Sequence, residues 1–456
     1  MKCYPPLLFE DGRDMVGLEE LERLVADEIT QRREEGYDVA EIEKRFTGRK
    51  EEVNRSELEG FLRDLEMCRL RPDFPYREPV DLSAIRAERP DGPRSMDFEL
   101  SERELLDKIY GGWLGRCAGC LLGKPVEFLS REQIEEWLRR ANAYPLRNYF
   151  PPLPETGDAP DWLKHRLLNP TVLLGNIDGM PRDDDVDYTI LNLYILETMG
   201  LDFTTADVGT VWLTKLPYLM VYTAERAAYR NLVNGLNPPE TATLMNPYRE
   251  WIGAQIRADA WGYVTPGRPE LGAELAYRDA SLSHTKNGAY GEMFVSAMLS
   301  AAFATGDIEE IIRIGLSEIP RRSRLAEAVR DTVGWSKKHG DWRSTWERIM
   351  EKYGHYSPVH TIDNSALVLM GLLYGEGDYE KSVTISVMGG LDTDCNGATT
   401  GSILGVILGA ENLPKKWVEP LNDRVESFVT GFNNSRISHL AERTLRLAKT
   451  TLSNAK

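Results

Sequence analysis

Gly389-Gly390-Leu391-Asp392-Thr393-Asp394-Cys395-Asn396-Gly397 sets two carboxylates two residues apart at the entry to a run of small residues. Glycine then recurs at 397, 401, 405 and 409. One glycine inside a helix costs about 1 kcal/mol relative to alanine. Four at i, i+4 spacing predict a helix over 395–410 whose stripe lets a neighbour pack at close range. A second stripe lies upstream in Gly111-Gly112-Trp113-Leu114-Gly115-Arg116-Cys117-Ala118-Gly119-Cys120-Leu121-Leu122-Gly123-Lys124-Pro125-Val126-Glu127, with glycines at 112, 115, 119 and 123. Ser101 and Glu104 form a capping box that opens this helix. Pro125 ends it and leaves Glu127 in a turn.

Outward from these two stretches, helical periodicity dominates: 187–199, 206–218, 272–282, 289–304, 307–316, 323–338, 363–374 and 379–387. Strand-like alternation is nearly absent, and no internal repeat is visible. The expected fold class is therefore all-α, a compact many-helix bundle. Residues 1–95 read as a helical N-terminal extension followed by a linker, and 96–456 as the main domain. In the extension Leu18, Leu21, Val25 and Ile29 recur at helical spacing, and shorter helices are expected over 39–46 and 56–70. Five prolines between Pro72 and Pro93 predict a surface linker without helix. Residues 141–182 are rich in proline and aromatic residues. An ordered loop of that length is commonly functional, so Tyr149, Phe150 and Trp162 are expected to line a substrate pocket and stack on a base or an aromatic leaving group.

Composition narrows the function classes. The chain has 456 residues, a formal net charge of −17 and a pI near 5.0. Nucleic acid and anionic membrane surfaces need a basic footprint, so neither is an expected partner. Cys3, Cys68, Cys117, Cys120 and Cys395 are too few and too scattered for a disulfide framework. Cys117-Ala-Gly-Cys120 has no second ligand pair, so its simplest reading is two small residues on one helical face. Met1–Asp14 lacks the apolar core of a signal peptide, and the longest mostly apolar run, Met293–Ala304, is too short to span a bilayer. We expect a soluble, reduced, cytoplasmic protein. The sequence assigns no oligomeric state.

The chemistry lies in two acidic clusters. Arg182-Asp183-Asp184-Asp185-Val186-Asp187 sits far upstream of Asp392 and Asp394. Like charges a few ångströms apart repel and raise one another's pKa. Capping a helix accounts for one aspartate per cluster, not for all of them. A divalent cation relieves the repulsion, and hard cations take oxygen ligands. The two clusters are thus expected to meet around Mg²⁺ or Mn²⁺.

Four motifs in order resemble the ADP-ribosylglycohydrolase family, the group that includes the dinitrogenase-reductase-activating glycohydrolase, over roughly residues 100–412. The Gly112–Glu127 segment is similar to the family's opening glycine-rich helix and its metal-site glutamate. Asp183-Asp184-Asp185-Val186 resembles its Thr/Ser-Asp-Asp-Thr motif. Gly253-Ala254-Gln255-Ile256-Arg257 with Ser283-His284 resembles its phosphate-side segment and later Thr-His. Gly390–Asn396 resembles its terminal Gly-Gly-Asp-x-Asp-Thr/Ser motif.

The resemblance implies an all-α fold and a binuclear centre with two Mg²⁺ or Mn²⁺ ions per chain. One ion would be held by Asp183, Asp184, Asp185 and Asp394, the other by Glu127, Asp392, Asp394 and the position of Cys395. The implied substrate is an ADP-ribosylated or ribosylated molecule, cleaved at the anomeric carbon. Glu127 is the candidate to position or deprotonate the attacking water, with Asp184 and Asp185 as the further catalytic candidates. Gly253 and Ala254 could offer backbone amides to a phosphate. Arg257 reads either as a phosphate contact or as a buried ion-pair partner, and His284 as a substrate-side or a helix-ordering residue. Some residues depart from the family pattern: Asp183 and Cys395 replace hydroxyl residues, Ile252 and Ile256 replace an asparagine and a methionine, and Leu391 stands between Gly390 and Asp392. Two rival readings stay open: a hydrolase of a small-molecule N-riboside lacking the diphosphate, and a non-enzymatic, crystallin-type relative.

Overall fold

The computed structural model describes residues 16–49, 54–153 and 157–453. Cys3 and the Met1–Asp14 stretch lie outside the described residues. Among the described residues are 22 α-helices and a single two-stranded antiparallel sheet, Arg424–Val425 with Ser435–Arg436, so the class is all-α. No helix among them is long and apolar enough to cross a membrane.

The centre of the bundle is one helix pair, Glu102–Gly123 against Thr393–Leu408. Their glycines interlock. A methyl on Gly111, Gly115 or Gly119 would run into the backbone carbonyl of Gly405, Gly401 or Gly397, and the reverse substitutions would strike the same partners. The first helix uses positions 111, 115, 119 and 123, which differ from the expected stripe only at the first position, because the strict i, i+4 row begins at Gly111. Gly112 faces Tyr263 and Val406 instead. Gly409 is not part of the ladder: it ends the second helix with φ +79°. A third helix, Ile437–Ser453, backs the first and accepts its Trp113 Nε1–H on Thr444 Oγ1 at 3.1 Å.

Helix boundaries follow local chemistry. The helix expected from 187 begins at Asp184, because the Asp183 side chain accepts the Asp185 N–H at 3.0 Å and caps it. The proline-rich linker is not free of helix. Leu82–Glu88 is helical, capped by Asp81, because the prolines flank that stretch and spare it.

In the extension, Leu18–Glu34, Ala40–Thr47 and Arg55–Glu66 bury Leu21, Leu24, Val25, Leu58, Leu62 and Leu65 in a small core that also takes in Met245. Charge then docks the first of these helices on the main body. Arg249 donates to Glu28 and Glu35, and Gln31 donates to Glu250.

The 141–182 segment departs from expectation. Tyr149 and Phe150 are buried in the main core, Tyr149 bonded to the Trp417 carbonyl and Phe150 against Trp137, and Trp162 packs at the core's edge. None of the three lines the acidic cleft described below. The segment reaches that cleft through Arg182, and Arg166 holds the Glu127 carbonyl at 2.6 Å.

Candidate active site

The glycine ladder places Glu127 beside Asp392 and Asp394. Where the first central helix ends, a 3-10 turn over Lys124–Val126 delivers Glu127. Where the second begins, Gly390 (φ +78°) and Leu391 (φ +64°) reverse the chain and set Asp392 at the helix entry. The left-handed conformation of a leucine is a strained arrangement. Neighbours fix it: the Leu391 carbonyl accepts the Phe128 N–H at 3.0 Å, and Thr393 Oγ1 donates to the Gly123 carbonyl at 2.8 Å. The two central helices thus meet with the end of one at the start of the other. The N-terminus of Asp184–Met199 arrives beside them.

These ends line one cleft of about 460 Å³. Glu127, Asp183, Asp184, Asp185, Asp392, Asp394 and Cys395 all face it. Potential ligand atoms of Asp392, Asp394 and Cys395 lie within 4.8 Å of one another, as do those of Asp183, Asp185 and Cys120, the last of which does not line the cleft. Cys120 was not among the sequence candidates, because the pattern gives its helical face and not what that face meets.

The protein neutralises the two halves unequally. Lys124 forms an ion pair with Asp183. Burial alone would raise the Asp183 pKa, but this ammonium and the Asp185 N–H outweigh it and hold the carboxyl below its ordinary range. Arg116, fully buried, contacts the Asp185 carboxylate at 3.2 Å and Asp259 at 2.7 Å. On the other side, among the described residues, no lysine or arginine forms an ion pair with Asp392 or Asp394. Asp392 Oδ1 and Asp394 Oδ1 are buried with no hydrogen-bond partner; burial, then the Asp394 charge, raises the Asp392 pKa, and burial, then the Asp183 charge, raises that of Asp394. An orphaned buried carboxylate oxygen is costly. Two of them aimed into one cleft suit a hard cation, so the residues present fit a metal. The Cys395 thiol, kept protonated by burial, donates to Asp185 Oδ2 at 3.1 Å and ties the two halves together.

Glu127 and Asp184 fall outside both close groups and stand on the cleft wall. Asp184 keeps 30% of its side chain exposed. Burial, then the neighbouring carboxylates, push Glu127 up to about 9 and Asp184 up to about 8. In the metal-free protein both therefore hold protons at neutral pH. A cation must displace those protons, so its binding at pH 7 is expected to release protons and to tighten as pH rises toward 9. Calorimetry of Mn²⁺ binding in buffers of different ionisation enthalpy measures this. Heats that do not depend on the buffer would contradict it.

Behind the cleft lies a second buried network. Arg257 does not reach the cleft: it donates to Asp279 at 2.6 Å and to Glu225 and Ser283 at 3.0 Å each. Ser283 Oγ accepts from Arg257 and also shares a hydrogen bond with His284 Nδ1 at 2.8 Å. His284 Nε2 lies 4.0 Å from Glu225 Oε1. Burial, then Arg257, keep His284 uncharged. Ala254 packs with Ala280 and Ala289 away from the cleft. Gly253 does line it, and any side chain there would collide with the Glu225 carboxylate. Glu225 is thus the functional candidate that the sequence did not reveal. It sits in the first turn of an ordinary amphipathic helix, Thr223–Val233, with no motif around it. Arg116 and Lys124 did leave a signal, as charges within or just after an otherwise small and apolar helix.

A family model described as ADP-ribosylglycohydrolase matches residues 101–453, past the end of the last motif and through the C-terminal helix. No curated protein matches the chain. A solved chain titled "ADP-ribosylglycohydrolase-related protein complex" is similar at 18% identity, covering 76% of this chain and 99% of that one, with a TM-score of 0.46.

Proposed function

The chain belongs to the ADP-ribosylglycohydrolase family, and from that membership we propose that it is a metal-dependent hydrolase of the glycosidic bond of an ADP-ribosyl or related ribosyl group. The observation that carries the metal is the pair of partnerless buried oxygens on Asp392 and Asp394, beside a cleft wall of further carboxylates. Two Mg²⁺ or Mn²⁺ ions would be held by Asp183, Asp184, Asp185 and Asp394 and by Glu127, Asp392 and Asp394. Bound there, such cations orient a sugar diol and lower the pKa of a water.

The chain's own residues supply the rest. Asp392 and Asp394 put negative charge where the sugar becomes oxocarbenium-like. Glu127 becomes a carboxylate once positive charge sits beside Asp394. In that form it takes a proton from the attacking water, as the bond from water oxygen to the anomeric carbon forms and the bond to the leaving group breaks. Asp184 is the second residue exposed enough to do this. Cys395 takes no metal in this reading, since its protonated thiol already serves Asp185. Arg257 positions Glu225, and with it the cleft wall at Gly253.

A phosphate-free N-riboside is favoured as a second reading by one observation: Arg257 does not line the cleft and is held by Asp279, Glu225 and Ser283. The extension over 1–95 and the catalytic body over 96–456 are taken as separate units, in keeping with the family match beginning at 101. Cys68, Cys117, Cys120 and Cys395 are free thiols, which accords with a reducing compartment such as the cytoplasm. The test is release of ribose or ADP-ribose from arginine-, serine- and small-molecule-linked ribosyl substrates with and without Mg²⁺ or Mn²⁺.

A further inference from the structure

A second cavity of about 380 Å³ adjoins the acidic cleft and shares Tyr222, Thr223 and Trp251 with it. Its charge is different in kind. Arg23, Arg226 and Arg230 line it together with Glu20 and Asp27. Arg230 is 5% exposed, yet its guanidinium meets only neutral acceptors, the carbonyls of Leu244 and Met245 and the Asn231 side chain. Arg226 likewise bonds only the carbonyls of Val221 and Leu219. Among the described residues neither forms an ion pair with a carboxylate. Of the two acids, Glu20 is exposed to water and Asp27 already accepts the Tyr248 hydroxyl at 3.0 Å.

A buried guanidinium held only by neutral acceptors is an incomplete arrangement, because a buried charge is ordinarily met by an opposite one. The cations that line the acidic cleft, by contrast, are spent, Lys124 on Asp183 and Arg182 on Asp187, and Arg257 behind it is held by Asp279 and Glu225. A phosphate placed among the seven carboxylates of the cleft would be repelled. One placed next door would meet arginines, whose planar fork suits phosphate oxygens.

We propose that this second cavity seats the phosphate-bearing part of the substrate, an organic phosphate or diphosphate bound by Arg226 and Arg230, with Arg23 supplied by the N-terminal helix Leu18–Glu34. The inference rests on the ribosyl-hydrolase reading and deepens it. The ribose lies in the acidic cleft, and the chain of the substrate passes Tyr222 and Trp251 into the basic cavity. It also gives the N-terminal extension, which precedes the matched family region, a place in the substrate site.

The test is calorimetric binding of ADP, with adenosine as the phosphate-free control, to the full chain in EDTA and again with Mg²⁺. EDTA removes any contribution of metal to phosphate binding. ADP is expected to bind without metal and more tightly than adenosine. Arg226→Gln and Arg230→Gln should each weaken ADP at least about tenfold, and Arg23→Gln less, leaving adenosine unchanged. Arg226 and Arg23 are solvent-accessible enough that their variants keep the fold even if Arg230→Gln does not. No metal-free ADP binding, or equal ADP affinity in wild type, Arg226→Gln and Arg23→Gln, overturns the proposal. Ribosyl turnover decides the parent reading separately. A protein that binds ADP through these arginines but hydrolyses no ribosyl bond keeps the cavity and loses the enzyme. A protein that turns over with arginine-independent ADP binding does the reverse.

Discussion

Asp394→Asn is expected to abolish turnover and, in the same protein, to raise the melting temperature measured in EDTA. The two effects have one cause. Asp394 is buried, one of its oxygens has no partner, and burial together with the nearby Asp183 raises its pKa. Without metal it is a liability to the fold, and an uncharged amide of the same shape removes that liability. With metal it is a ligand, and the amide lowers occupancy of a site that must hold a hard dication. The loss in kcat should be at least on the order of 10³-fold, about 4 kcal/mol of transition-state stabilisation. Thermal unfolding with and without Mn²⁺ reads both signs at once. Wild type should gain more from Mn²⁺ than the variant does, and the two curves should cross. A variant less stable than wild type in EDTA would mean that Asp394 serves the fold through bonds of its own.

The second large effect rests on packing rather than on charge. Gly115→Val should destabilise the protein by roughly 3 kcal/mol or more, the upper range for overpacking. The added side chain would have to enter the Gly401 carbonyl, which is backbone on the facing helix and has nowhere to yield. Protein that remains folded should also bind metal poorly. Glu127 follows the end of one helix of this pair, and Asp392 and Asp394 stand beside it at the start of the other, so spreading the helices pulls the ligands apart. Gly334→Ala is the control, since nothing lies within 4 Å of a methyl there. Urea unfolding of the two variants measures the contrast. Equal midpoints would show that the ladder is not under packing pressure.

The fold class was legible because its signal is local: apolar residues at helical spacing, and glycines too regular to be accidental. The offset of one stripe from Gly112 to Gly111 shows the limit of that signal, since adjacent glycines look alike until the facing helix is known. The C-terminal helix Ile437–Ser453 was readable and unread, its buried Ile437, Leu440, Ala441, Thr444, Leu445 and Ala448 recurring at helical spacing. The carboxylates of the site were legible from crowding alone. What neutralises them was not. Lys124 on Asp183 and Arg116 on Asp185 are pairings set by which helix ends meet, and Glu225 reaches the cleft only because Gly253, 28 positions later, has no side chain. Tyr149 and Phe150 misled for the opposite reason. An aromatic in a long loop offers the same surface to a base as to a core, and here the core took both.

The most direct measurement is release of free ribose or ADP-ribose from ribosyl substrates by the full chain, with Mg²⁺ or Mn²⁺ and again in EDTA, beside Asp394→Asn with its fold checked by circular dichroism. Cation-dependent release by wild type that the variant lacks is the predicted result. A wild-type protein loaded with Mn²⁺ and inert on every ribosyl substrate, or release that continues unchanged in EDTA, would contradict the account.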